Sequence, residues 1–284
     1  MDTAICDICP KACHLHEGQV GECGARIAQD GRVQPANYAQ ITSIALDPIE
    51  KKPLARFNPG SKVLSVGSYG CNMRCPFCQN SNISTMDYDY AVRNASVRTI
   101  EPAQIVELAG DAKDNGNIGI AYTYNEPLVG YEYVYDCAVA AHETGLVNVL
   151  VSNGYINDKP WRRLLPLIDA ANIDLKGFTQ EFYDYVSAPF GLDVVKHNIM
   201  LAAAIPTLHL EVTTLIIPGR NDSESEIAGL SAWLASLDED ITLHLTRFFP
   251  RYELLDTPPT PKKTLYTLAK VAERNLEHVY IGNV

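Results

Sequence analysis

The chain has 284 residues, 46% of them hydrophobic and 20% charged, an ordinary globular composition with enough apolar material for one catalytic core of barrel size and a small appendage. A formal net charge of −11 argues against a nucleic-acid phosphate surface, which needs clustered Lys and Arg. No run approaches the roughly 18 apolar residues of a membrane span, and cysteines stand where a signal peptide has its apolar stretch, so a cytoplasmic protein without membrane or nucleic-acid partners is expected.

Residues 1–60 lack helical periodicity and carry Cys6, Cys9, Cys13 and Cys23 as C-x2-C-x3-C-x9-C, with Gly18, Gly21 and Gly24 allowing tight turns. They read as a metal-binding extension, and residues 61–284 as the catalytic unit. Grouped thiols in a chain of this length favour metal over disulfides. Four thiolates that complete their own coordination suit structural Zn²⁺, the preferred reading because a small extension needs a staple and the spacing matches no ferredoxin pattern. The same thiolates can hold an auxiliary Fe–S cluster, and unmetallated thiols are a third reading.

From residue 62 onward, short β-branched runs alternate with helical patterns, the mark of parallel βαβ units. Strands are expected at 63–68, 118–123, 147–152, 171–175, 208–217, 242–247 and 278–281, and helices at 102–115, 129–144, 159–167, 192–204, 224–237 and 261–276. Asn153-Gly154, Pro218-Gly219 and Thr257-Pro258-Pro259 punctuate the connections. Cys137 lies in the apolar stretch 134–141 and reads as an inert buried thiol.

In such a fold, ligands gather at the C-terminal ends of parallel strands, and each polar motif begins at one. After the first strand, Cys71, Cys75 and Cys78 place three thiols within eight residues. Three thiolates on a cube of iron and sulfide leave one iron open, whereas a zinc knuckle here needs a fourth ligand from elsewhere. Tyr124, Asn125 and Glu126 follow the second strand, where Asn-Glu-Pro also reads as turn chemistry. Ser152 and Asn153 end the third strand, and Asn153-Gly154 taken alone is a plain turn. Asp174 and Lys176 end the fourth on one face, as an inward pair that can meet an anion or as a solvated one. His209, Glu211 and Thr213 share a face of the fifth strand, and His244 and Thr246 one of the sixth. They suggest either a ligand-facing barrel interior or a satisfied internal network.

The cluster loop, with Phe77 before its last cysteine, resembles the radical S-adenosylmethionine (SAM) signature. The wider set resembles the radical SAM proteins of the AmmeMemoRadiSam system, which are similar to pyruvate formate-lyase activating enzymes. It comprises the N-terminal cysteines, 122–127, 151–154, 173–176, 218–222, 244–252 and 279–284. The resemblance implies an incomplete (β/α)6 barrel and a [4Fe–4S] cluster on Cys71, Cys75 and Cys78 whose open iron chelates SAM. It implies cleavage of SAM to a 5′-deoxyadenosyl radical that abstracts hydrogen, in the activases from a glycine of a partner protein, with reduced flavodoxin or ferredoxin as electron donor. The cofactor-binding candidates are therefore Phe77, Tyr124, Asn125, Glu126, Ser152, Asn153, Asp174 and Lys176, together with His209 and His244 from the interior faces. Two positions depart from the activases: Val151 and Ser152 stand where an acidic residue helps bind a cation near SAM, and Glu211-Val212-Thr213 stands where an Arg is found. Radical modification of another protein or of a small molecule competes with glycine activation as the reaction, and the rival class is a zinc-bearing regulatory module without catalysis.

Overall fold

The computed structural model describes residues 3–94 and 96–284. At its centre is one eight-stranded sheet: β1 (Ser43–Pro48), β2 (Lys62–Gly67), β3 (Asn117–Tyr122), β4 (Val147–Ser152), β5 (Ala170–Asp174), β6 (His209–Ile216), β7 (Thr242–Arg247) and β8 (Val279–Gly282). Spatial order follows chain order, β1 antiparallel to β2 and every later neighbour parallel. Because β1 and β8 are unjoined edges, the sheet is an incomplete barrel.

Each strand from β2 to β7 is followed by a helix: α1 (Pro102–Asp111), α2 (Tyr131–Glu143), α3 (Asp158–Leu164), α4 (Gly191–Ala203), α5 (Glu224–Leu237) and α6 (Lys262–Ala272). These are the six β/α units expected, with β8 as a short added strand. Covered on both faces, the strands bury nearly continuous runs such as 148–150 and 170–173, which is why they read as apolar segments. Local chemistry sets the helix starts. Pro102 opens α1 while the Gln104 carboxamide accepts the Glu101 N–H at 2.8 Å, and the Ser223 hydroxyl accepts the Glu226 N–H at the start of α5.

Residues 3–42 form ribbons rather than a packed layer. Ala4–Ile5 pairs with His14–Leu15, Arg26–Gln29 with Arg32–Pro35, and Gln40–Ile41 with Arg98–Thr99. Buried Arg26 bolts them to the barrel, donating to Glu132 on α2 at 2.7 and 2.9 Å and to the Val129 carbonyl at 3.1 Å. The segment 43–48, in sequence part of the extension, pairs along its whole length with β2 and so belongs to the sheet. Ser43, Asp47 and Pro48 break its apolar alternation, as suits an edge strand. The helix Gln180–Tyr185, capped by the Thr179 hydroxyl, has no counterpart among the expected elements.

Candidate active site

The cluster loop leaves β2 through Ser68-Tyr69-Gly70, clamped by the Asn125 carboxamide, with Asn37 Nδ2 adding a bond to the Tyr69 carbonyl at 3.1 Å. Asn125 Nδ2 donates to the carbonyls of Tyr69 and Gly70, both at 3.0 Å, and its Oδ1 accepts the Ser68 N–H at 3.0 Å. Beyond this clamp, the Met73 N–H points at Cys71 Sγ (3.4 Å), and Cys78 Sγ lies 3.2 Å from the Ser84 hydroxyl. Phe77 is buried beneath the loop against Phe182 and Tyr185, with ring centroids 6.1 and 6.5 Å away. Phe77 therefore anchors the loop on the helix Gln180–Tyr185.

All three cluster-loop cysteines are partly exposed. Among the described residues, only Asp240, Glu277 and His278 bring three ligand atoms within 4.8 Å of one another. The sulfurs of Cys71, Cys75 and Cys78 thus stand further apart than ligands of one zinc ion, whose tetrahedron of Zn–S bonds of about 2.3 Å has edges of about 3.8 Å. A triplet with at least one pair beyond 4.8 Å is compatible with three corners of an iron–sulfur cube and not with one zinc ion. Burial, reinforced by Glu126 and Cys75, pushes the Cys71 thiol well above its ordinary value. Burial also pushes Cys75 up to about 12, against the pull of Lys176.

The strand-end residues divide by what they touch. Asn153 reaches the loop directly, its Nδ2 3.8 Å from Cys71 Sγ and 2.9 Å from Asn72 Oδ1. Glu126 is buried, accepting from the Ser152 hydroxyl at 2.9 Å and from the N–H groups of Asn153 (2.8 Å) and Leu128 (3.0 Å). Burial pushes its carboxyl up to about 7, with those donors pulling the other way and Asp174 adding to the rise. Half-buried Lys176 and Asp174 pair at 2.8 Å beside the thiols. Burial alone would lower the Lys176 ammonium, but Asp174, Cys75 and Cys78 hold it well above its ordinary value.

Tyr124 turns the other way. At φ +75° its ring covers Gly67, where a Cβ would come within 2.8 Å, and its hydroxyl donates to Asp47 of β1 at 2.7 Å. His209 and His244 converge on the fully buried Glu211, at 2.8 and 2.5 Å. Its carboxylate also accepts the N–H groups of Ala55 and Arg56, in the connection that feeds the start of β2. Burial would raise Glu211, yet the two imidazoles and two backbone donors bring it down to about 2. This network ties down the end of the sheet where strands begin, away from the cluster loop, so the structure does not bring the two histidines to the thiols.

The extension packs directly on the loop. Cys6, Cys9, Cys13 and Cys23 surround a pocket completed by Lys11, Arg26 and Asn72, and the Cys71 N–H donates to the Cys23 carbonyl at 3.1 Å. Arg74 donates to the Glu22 carbonyl. Sequence reasoning missed Asn72, which is buried between the two cysteine sets and donates to the Tyr155 carbonyl at 2.7 Å. Asn221, in the 218–222 motif to which the sequence assigned no role, donates to the Lys176 carbonyl at 2.9 Å. A single Asn in a loop carries no signal beyond turn preference. Cys137 is fully buried on α2, as an inert thiol would be.

A three-thiol loop opening the first unit of a partial β/α barrel is the arrangement of enzymes that pair an iron–sulfur cluster with SAM. The Radical SAM superfamily model matches residues 65–230, more than half the chain, so the chain belongs to that superfamily and is a radical SAM enzyme. Membership implies a [4Fe–4S] cluster and SAM and sets aside the non-catalytic zinc module. An uncharacterised protein of Methanocaldococcus jannaschii is 41% identical over 281 residues, covering 98% of this chain and 81% of its own. The 4-hydroxyphenylacetate decarboxylase activating enzyme of Clostridioides difficile is 23% identical over 119 residues, 42% of this chain and 37% of that one. In fold alone, a radical SAM methyltransferase from Sphaerobacter thermophilus matches with a TM-score of 0.56 at 14% identity, over 79% of this chain and 67% of that one. No helix of the described residues is long and apolar enough to cross a membrane.

Proposed function

We propose that Cys71, Cys75 and Cys78 hold the [4Fe–4S] cluster and that the enzyme abstracts hydrogen from a partner protein, as an activase does from a glycine. When bound, cluster and SAM supply reductive cleavage to the 5′-deoxyadenosyl radical, with the electron from a reduced flavodoxin or ferredoxin. In this reading Lys176, oriented by Asp174, binds the SAM carboxylate, and buried Glu126 accepts from its ammonium. Asn153 and Asn125 fix the loop, while Tyr124, Ser152 and Phe77 support those groups from behind. The 61–284 unit is the catalytic body, with β1 completing its sheet.

One charge-assisted contact contributes about 1.5–3 kcal/mol, a tenfold or larger change in affinity. Lys176→Ala and Asp174→Ala are therefore each expected to weaken SAM binding at least about tenfold with the cluster still formed, read by titrating SAM against the cluster's spectrum. Wild-type affinity in both variants would remove them from the SAM site.

The observation supporting a macromolecular substrate is the segment after β7. The N–H groups of Glu253 and Leu254 donate to Pro76 O inside the cluster loop, at 2.9 and 3.1 Å, while Phe249, Tyr252 and Leu255 stay exposed beside it. Large apolar side chains held at a catalytic mouth suit a docking protein better than a small polar molecule. Similarity to a decarboxylase activating enzyme points the same way. The test presents glycyl radical enzymes to the anaerobic protein with SAM and a low-potential reductant. A glycyl radical signal is expected, reduced about tenfold or more by Leu255→Asp and Phe249→Ala, while 5′-deoxyadenosine formed without a partner stays within about twofold. Equal activation by both variants, or no glycyl radical with any partner, would move the substrate to another class.

A further inference from the structure

We infer that the four N-terminal thiols bind a second [4Fe–4S] cluster in place of the zinc that their sequence spacing favours. The inference rests on the geometry of this pocket and, for calibration only, on the cluster reading of Cys71, Cys75 and Cys78.

Zinc with four thiolates fixes its sulfurs about 3.8 Å apart, so every triplet would fall inside a 4.8 Å limit. No three of Cys6, Cys9, Cys13 and Cys23 do so, although their backbone is closely tied: the Cys6 N–H donates to Cys13 O at 3.0 Å, and the Ala12 N–H to Cys9 O at 3.1 Å. The catalytic triplet is open in the same way. A cube of four irons and four sulfides is wider than one ion and holds its terminal thiolates further apart, in keeping with at least one pair beyond 4.8 Å in every triplet of both sets.

A second observation points into the same pocket. The Arg26 side chain is only 3% exposed, its terminal nitrogens are taken by Glu132 and Val129, and its Nε–H has no partner although the residue lines the cavity with the four cysteines. A buried donor left unpaired is costly. Four thiolates around a cluster supply acceptor sulfurs and negative charge, and hydrogen bonds to such sulfurs are a means by which proteins set cluster potential. Lys11, its side chain 9% exposed and its ammonium paired with Glu22 at 2.6 Å, also lines the pocket.

A cluster with all four irons ligated has no open iron, so it takes no SAM. It can exchange one electron, which zinc cannot. The Cys23 carbonyl on the Cys71 N–H and Asn72 in the wall of this pocket put it beside the catalytic loop.

The test is metal analysis and electron paramagnetic resonance of the full-length protein, purified anaerobically, as wild type and as Cys71→Ala/Cys75→Ala/Cys78→Ala. The wild type is expected to carry about eight irons and no stoichiometric zinc, and the triple variant about four irons with a reduced-cluster signal that SAM does not perturb. Cys6→Ser/Cys9→Ser is expected to lose that SAM-insensitive signal in whatever protein remains folded. About four SAM-responsive irons with one zinc, or a triple variant without iron, would overturn this inference and leave the catalytic reading standing. A wild type whose iron signal ignores SAM would instead overturn the catalytic reading.

Discussion

The Cys71→Ala/Cys75→Ala/Cys78→Ala protein is expected to form no 5′-deoxyadenosine above the enzyme-free background and to lose about four irons per chain. No other described residues offer a replacement triplet of thiols, since the extension's cysteines face their own pocket and Cys137 is buried within α2. Loss of activity through unfolding is distinguishable. The thiols are partly exposed, and burial pushes Cys71 and Cys75 towards the neutral form, so Ala removes little packing beyond the weak sulfur contacts to Met73, Asn153 and Ser84. The loop's clamps also survive, with Asn125 on Ser68, Tyr69 and Gly70, and Phe77 against Phe182 and Tyr185. Metal-free triple variant and metal-free wild type should therefore unfold within about 3 kcal/mol of each other, the range of substitutions that give up small contacts and little packing. Product analysis alongside urea unfolding checks both statements, and 5′-deoxyadenosine at the wild-type level would sink the assignment of these thiols.

The six β/α units were legible because strands buried on both faces leave apolar runs, and the helices between them carry capping chemistry at their starts. β1 was not, since an antiparallel edge strand with Ser43, Asp47 and Pro48 presents no alternating face. The site divides the same way. Chain position placed Tyr124, Asn125 and Glu126 at a strand end, but not the direction of their side chains. Tyr124 takes a positive φ and reaches Asp47, and Asn125 is used up on the loop backbone. Period-two alternation correctly put His209 and Glu211 on one face. That Ala55 and Arg56 close over Glu211 depends on a connection about 155 residues away in sequence, which no local pattern encodes. The N-terminal cysteines are the sharpest case, because a ligand count was readable while the separation of the sulfurs, which bears on the metal, exists only in three dimensions.

Gly70→Ala is expected to damage both cysteine sites at once. Gly70 has φ +86°, where an L side chain costs about 1–2 kcal/mol. A Cβ there would also lie 2.6 Å from the Cys23 carbonyl oxygen and 2.7 Å from Ala25 Cβ. That oxygen is backbone and accepts the Cys71 N–H, so it cannot swing aside without moving the cluster loop or the extension. Overpacking of this kind adds about 1–3 kcal/mol, for a total of about 2–5 kcal/mol against the 5–15 kcal/mol by which such a domain is folded. Gly116→Ala separates the two contributions: its φ of +88° carries the same strain, but a Cβ there meets nothing within 4 Å. Gly70→Ala should therefore lower the urea midpoint of anaerobically purified protein further than Gly116→Ala does, and it alone should lower iron content and SAM cleavage, since the carbonyl it displaces belongs to one cysteine set and the amide bonded to it to the other. Matching midpoints and full iron in the two variants would mean that the extension does not press on the cluster loop in solution.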